Sequence, residues 1–150
     1  MAAPHDHDHT HHDRADCSCA GRDLQLTPGR KQVLDILEAA DGPLGAYELI
    51  DRMSALTGKR VAPVTIYRAL DYLTENGLVH RLASRNTFLA CNHHHRRHDP
   101  VVFLICDMCG SVREATSDAV KQDLSKIAAE AGFTLRSEVI ELGGRCAKCT

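Results

Sequence analysis

The chain has 150 residues, a formal net charge of −2 and seven cysteines, so it can form one ordinary domain or two small ones, and small domains need a staple. No apolar run approaches the ~20 residues of a membrane span, and the N-terminus lacks the apolar core of a signal peptide. An odd number of cysteines, with two pairs at knuckle spacing, argues against a secreted disulfide framework, and a soluble cytoplasmic protein is expected.

The charge is unevenly placed. Residues 1–21 carry four Asp against one Arg, residues 22–91 carry nine Lys/Arg against eight acids, and residues 92–150 carry eight against eight. Any nucleic-acid-binding face must therefore arise from arrangement rather than from excess charge.

Residues 1–21 interleave His5, His7, His9, His11 and His12 with Asp6, Asp8 and Asp13 and then add Cys17 and Cys19, with almost nothing apolar to bury. Disorder is expected there, either as a weak metal-gathering tail or as a plain solvated one.

Thr27 reads as an N-cap and Pro28 as the first residue of a helix whose buried stripe is Val33, Leu34, Ile36, Leu37 and Ala40. Asp41-Gly42-Pro43 stops it. A second helix is predicted over 46–56, with Leu49, Ile50 and Met53 inward. After the basic turn Gly58-Lys59-Arg60, Pro63 opens a third, which Asn76-Gly77 closes. Three short helices with tight turns predict a helix-turn-helix core. In the third, Ile66, Ala69, Leu70 and Leu73 share the core face and leave Thr65, Tyr67, Arg68 and Tyr72 outward. Exposed tyrosines beside an arginine suit a helix that reaches phosphates and base edges, although an ordinary amphipathic helix can also carry them.

Strand-like runs at 78–83 and 87–91 flank Ser84-Arg85-Asn86, which completes the order of a winged helix. A hairpin closing symmetrically about residues 85 and 86 places His80 opposite Cys91, close enough to share one metal ion. A polar link follows, with His93, His94, His95 and His98. A tetrahedral ion that already holds His80 and Cys91 needs two more donors, so at most one or two of these four are ligands.

The apolar run 101–105 enters Cys106-Asp107-Met108-Cys109, and 111–115 leaves it. Ser117 caps a helix with Val120, Leu124, Ile127, Ala128 and Ala131 at helical spacing, which Gly132 ends. Residues 135–142 return as a strand before Cys146-Ala147-Lys148-Cys149. Two such knuckles supply four thiolates to one tetrahedral zinc, because the two-residue gap lets both sulfurs of a knuckle reach the ion at ~2.3 Å. A redox Cys-x-x-Cys is the competing reading, but it normally occurs once, near a helix start. The unit has too few strands to hide its edges, so pairing with a second copy is expected.

The stretches Leu26–Arg30, Ala46–Leu49, Val64–Leu70, Gly77–His80 and Phe103–Gly110, with the Cys146/Cys149 pair, resemble the ferric uptake regulator family and, within it, the zinc uptake regulator branch. The resemblance covers residues 24–150. It implies an α+β fold: an N-terminal winged helix-turn-helix followed by a small α/β dimerisation domain with a structural four-cysteine zinc site. The corresponding division is a tail at 1–21, a DNA-binding domain at 22–92, a hinge at 93–99 and a dimerisation domain at 100–150.

The resemblance further implies structural zinc on Cys106, Cys109, Cys146 and Cys149, and a sensing zinc at the hinge on His80, Cys91, a linker histidine and Glu114. His98 is selected because it lies nearest the dimerisation strand, with His93 or His95 as alternatives. Thr65, Tyr67 and Arg68 are the expected DNA contacts. The function implied is a homodimeric, zinc-responsive repressor of zinc-uptake genes that binds pseudo-palindromic double-stranded DNA. A thiolate in the sensing shell weighs toward zinc over Fe(II) or Mn(II). No His-Glu-x-x-His or other catalytic pairing occurs, so no enzymatic activity is expected. Sensing of another metal or of peroxide, or zinc storage on the His-rich tail, are the rival functions.

Overall fold

The computed structural model describes residues 24, 26–91, 100–135 and 139–150. The His-rich tail, the linker 93–99 and the histidines His93, His94, His95 and His98 lie outside the described residues.

Helix α1 spans Pro28–Glu38, with the Thr27 hydroxyl accepting the Arg30 N–H at 3.4 Å and proline at its first turn. A two-residue strand, β1 (Leu44–Gly45), leads into α2 (Ala46–Thr57). The Glu48 carboxylate accepts the Gly45 N–H at 2.8 Å and so satisfies a donor just ahead of that helix. Helix α3 runs from Pro63 to Glu75. Its last turn is closed by the Asn76 side chain, which donates to the Tyr72 carbonyl at 2.7 Å, and by Gly77 at φ +73°, a backbone angle that disfavours a side chain.

The wing is β2 (Val79–Leu82) and β3 (Thr87–Ala90), antiparallel, with β1 on the outer edge of β3. Strand β1 was not anticipated, because two residues carry no periodicity. The register also differs from expectation: His80 pairs with Leu89, and the Cys91 N–H donates to the Leu78 carbonyl. His80 is therefore not opposite Cys91. The hairpin closes through a four-residue turn, Ala83–Asn86, with Asn86 at φ +50° and its side-chain oxygen accepting from Arg81 at 2.9 Å, so the centre of the turn moves one residue toward the N-terminus. A two-residue offset keeps both side chains on one face, as diagonal neighbours.

The second sheet has the order β5-β4-β6, from β4 (Val101–Cys106), β5 (Val112–Ala115) and β6 (Val139–Gly144). Strand β4 is antiparallel to β5 and parallel to β6, with α4 (Asp118–Glu130) in the crossover between β5 and β6. Leu135, predicted to open this last strand, lies outside β6, which instead runs past the predicted end at Leu142 through Gly143 and Gly144 and carries the chain up to the second knuckle.

One apolar cluster joins Val33, Ile36 and Leu37 of α1, Leu49 and Met53 of α2, and Ile66, Ala69, Leu70 and Leu73 of α3 to Val79, Phe88 and Ala90 of the wing. A second, smaller one joins Val101, Phe103 and Ile105 of β4 to Leu82 of the wing, with Leu89 and Val112 against it. The wing thus contributes to both cores. Alternation along β4 turns Leu104 to the other face of the sheet, where it is 44% exposed beside Leu142 at 51%. Helix α4 buries only Ala128, leaves Val120 and Leu124 half-buried and exposes Ile127 by 61%, so the apolar stripe read from the sequence is only partly covered in the single chain.

Candidate metal centres and nucleic-acid interface

The knuckles meet because β4 and β6 run parallel and end together: Cys106 pairs with Gly144, and the Asp107 N–H donates to the Gly144 carbonyl at 2.8 Å. The first knuckle turns back through a Gly110 N–H to Cys106 carbonyl bond of 2.9 Å, and the second closes through a Cys149 N–H to Cys146 carbonyl bond of 2.8 Å. One sulfur from each of Cys106, Cys109, Cys146 and Cys149 lies within 4.8 Å of the others. The Cys109 and Cys146 sulfurs are 3.7 Å apart. A regular tetrahedron with ~2.3 Å zinc–sulfur bonds has edges of ~3.8 Å, so this spacing fits a single zinc.

The electrostatics of the cluster fit a cation as well. The backbone N–H groups of Cys109 and Cys146 hold the Cys106 thiol down at about 6, and the Ser111 hydroxyl, 3.2 Å from the Cys109 sulfur, lowers that thiol too. Cys149, with its proton held against the sulfurs of Cys146 and Cys109, is pushed up to about 12. Some of these sulfurs favour the thiolate and one resists it, because further negative charge accumulates in the same small volume. A bound cation relieves that conflict and displaces the remaining protons.

The residues expected to sense metal are arranged differently. Glu114, Phe103 and Glu141 form one row across β5, β4 and β6. The buried His80 lies over this row, with its ring centroid 5.4 Å from that of Phe103. One carboxylate oxygen of Glu114 is fully shielded from solvent, and Cys91 is half-buried just beyond β3. Wing and second sheet therefore face each other at His80 and Phe103, the strand partner of Glu114. Among the described residues only the four cysteines gather into a metal-sized group; His80, Cys91 and Glu114 do not close to that spacing.

On α3, Thr65 and Arg68 are exposed and Tyr67 is 40% exposed, whereas Ile66, Ala69, Leu70 and Leu73 are buried. Tyr72 departs from its expected outward position. It is half-buried beneath the Arg30 guanidinium, whose carbon lies 3.6 Å from the ring centroid, a cation–π contact that ties α1 to α3. Sequence reading also passed over Glu141 and Arg85. Glu141 accepts from Ala83 and Ser84, and Arg85 donates to the Cys106 carbonyl. Nothing local marks them, since their partners lie 58, 57 and 21 positions away.

The model of the ferric uptake regulator family matches residues 21–142. The chain belongs to the ferric uptake regulator family. That match stops short of Cys146 and Cys149, so the second knuckle stands on its own geometry. This family member is 38% identical over 136 residues to the zinc uptake regulation protein of Escherichia coli, covering 91% of this chain and 79% of that one. Against the zinc uptake regulation protein of Mycobacterium tuberculosis the identity is 30% over 135 residues, covering 88% and 98%. Among solved structures it resembles a zinc uptake regulator complexed with zinc and DNA (TM-score 0.79, 38% identity, 87% of this chain and 86% of that one). It likewise resembles holo XcZur (TM-score 0.75, 41% identity, 89% and 92%). Within the ferric uptake regulator family, the chain stands in the zinc uptake regulator branch.

Proposed function

We propose that the protein is a zinc-responsive transcriptional repressor of zinc-uptake genes that binds a pseudo-palindromic operator as a zinc-loaded homodimer in the cytoplasm. The observation that carries this is the four-sulfur cluster in the same chain as a helix with an exposed Thr65-Tyr67-Arg68 face. Similarity to zinc uptake regulators, one of them solved with zinc and DNA, supports it.

Residues 22–92 form the DNA-binding unit, 93–99 the hinge and 100–150 the dimerisation unit. Cys106, Cys109, Cys146 and Cys149 hold a structural zinc. His80 and Cys91 from the wing side, Glu114 from β5 and His98 from the linker hold a second, regulatory one. Zinc at the second place supplies a coordinate cross-link between segments far apart in sequence. Through those ligands, wing and sheet are held at one separation, and the α3 helices of two subunits can then sit about one DNA turn apart. A coupling of ~1–3 kcal/mol per site is the usual scale for such linkage.

The uncovered Leu104, Leu142 and Ile127 support a second copy as the partner that completes α4 and the open sheet face. The chain acts by binding and has no catalytic residues in this reading. A DNA-binding titration against buffered free Zn²⁺, repeated with Fe²⁺ and Mn²⁺, tests the proposal. Binding that rises with zinc at the lowest free-metal concentration supports it, and binding indifferent to all three metals overturns it.

A further inference from the structure

The turn of the wing is held by the second sheet. The Glu141 carboxylate accepts the Ala83 N–H at 2.6 Å, the Ser84 N–H at 3.2 Å and the Ser84 hydroxyl. Burial pushes the Glu141 carboxyl up, but these three donors outweigh it and the group lies below its ordinary value. Immediately beyond, the Arg85 guanidinium donates to the Cys106 carbonyl at 3.0 Å and lies 3.9 Å from the Asp107 carboxylate. Gly110, at φ +74°, leaves space for it: a Cβ there would come within 3.3 Å of Arg85 Nη1. Beneath these contacts Leu82 is fully buried in the second apolar cluster.

We propose that Glu141 and Arg85 are positioning residues that clasp the wing turn to the knuckle end of the second sheet and so fix the direction in which α3 is presented. Glu141 acts through the backbone: an ionised carboxylate receiving three donors defines the turn's place more sharply than apolar contact alone. Arg85 acts through the knuckle. The carbonyl it binds also accepts the Gly110 N–H that closes the first knuckle, so the Arg85 contact and the knuckle's closing bond share one acceptor. The four-cysteine frame therefore bears on wing orientation as well as on the integrity of its own unit.

The consequence for DNA rests on the repressor reading, whereas the clasp itself does not, and the experiment separates them. Full-length zinc-loaded protein is compared with Glu141→Ala, Glu141→Gln, Arg85→Ala and Arg85→Lys, by amide hydrogen exchange at residues 83 and 84 and by operator titration at fixed free zinc. Zinc content and circular dichroism confirm that each variant is folded. Glu141→Ala is expected to speed exchange at the turn and weaken operator binding roughly five- to tenfold, with zinc content unchanged. Glu141→Gln, which keeps the size and one acceptor, should be intermediate, and Arg85→Lys should recover part of what Arg85→Ala loses.

Unchanged exchange in Glu141→Ala and Glu141→Gln overturns the clasp. Faster exchange with unaltered operator affinity and zinc dependence overturns its positioning role. Failure of the unmodified protein to bind DNA at any free zinc removes the repressor reading alone, and the exchange comparison still decides the clasp.

Discussion

Among the described residues, 28–90 bury fourteen apolar side chains in one cluster, whereas β4, β5, α4 and β6 bury Val101, Phe103 and Ile105 in a second, with Val112 half-buried against it and Leu82 of the wing completing it. The first unit is closed by side chains from three helices and a hairpin. The second leaves Leu104, Leu142 and Ile127 in solvent and brings four sulfurs together at the ends of two parallel strands. The contrast separates two routes to order. Hydrophobic burial suffices where enough apolar area can be enclosed, and a cross-link takes over where it cannot.

Losing one knuckle sulfur is the strongest way to break that contrast. Cys106→Ser would open the proposed four-ligand shell, and structural zinc sites of that kind hold ~10–16 kcal/mol of apparent binding energy that is also folding energy. The second unit should lose its zinc and its cooperative unfolding transition, while the helical unfolding signal of the first persists. Zinc counting on dialysed protein together with thermal unfolding measures both, and a fully zinc-loaded, stable variant would rule out the frame. Leu70→Ala acts on the opposite side. Leu70 is fully buried, so a truncation of this kind costs about 2–5 kcal/mol. It should lower the unfolding transition of residues 26–91 and leave zinc stoichiometry intact.

Much of this division was legible in the sequence, because helical periodicity, an N-cap threonine, Pro28 and Pro63 at helix starts and the spacing of paired cysteines are all local signals. The buried faces of α1, α2 and α3 and the meeting of the four cysteines were read from such signals. What escaped depends on distant partners or on the turn. The hairpin register depended on where the turn closes, and Asn86 at positive φ moved it by one residue, which took His80 away from direct opposition to Cys91. Tyr72 read as outward because Arg30, which covers it, sits a helix away. The Glu141 contacts with the wing had no counterpart in periodicity at all, since a glutamate in a strand ordinarily reads as solvent-facing.

Cys91→Ser is expected to act between the two units rather than within either. A hydroxyl is a poor zinc ligand near neutral pH, so the proposed regulatory site should lose affinity while zinc proposed on the four cysteines stays. Operator binding should then need much more free Zn²⁺, with the fold and the proposed dimer unchanged. Metal counting alongside a DNA titration at several free-zinc levels decides this. Wild-type zinc dependence in the variant would remove Cys91 from the sensing set and leave the linker histidines to account for it.

The smallest expected effect on either core belongs to Arg68→Ala, which bears on function instead. Arg68 is exposed on α3, opposite the face that buries Ile66, Ala69, Leu70 and Leu73, and it forms no ion pair with any described residue. Its replacement by alanine, the best helix former, should therefore leave thermal stability and zinc content close to wild type. If the guanidinium reaches a base edge, operator binding should weaken by ~1–3 kcal/mol at saturating zinc, with discrimination relaxed at a single position of the site. If it meets only phosphate, affinity should fall about equally for operator and unrelated DNA, and the salt dependence of binding should become shallower. The two outcomes separate in one titration series run against operator and scrambled duplex at two salt concentrations. Unaltered affinity in all four arms would take Arg68 out of the interface and leave Thr65 and Tyr67 as the residues of that face to test.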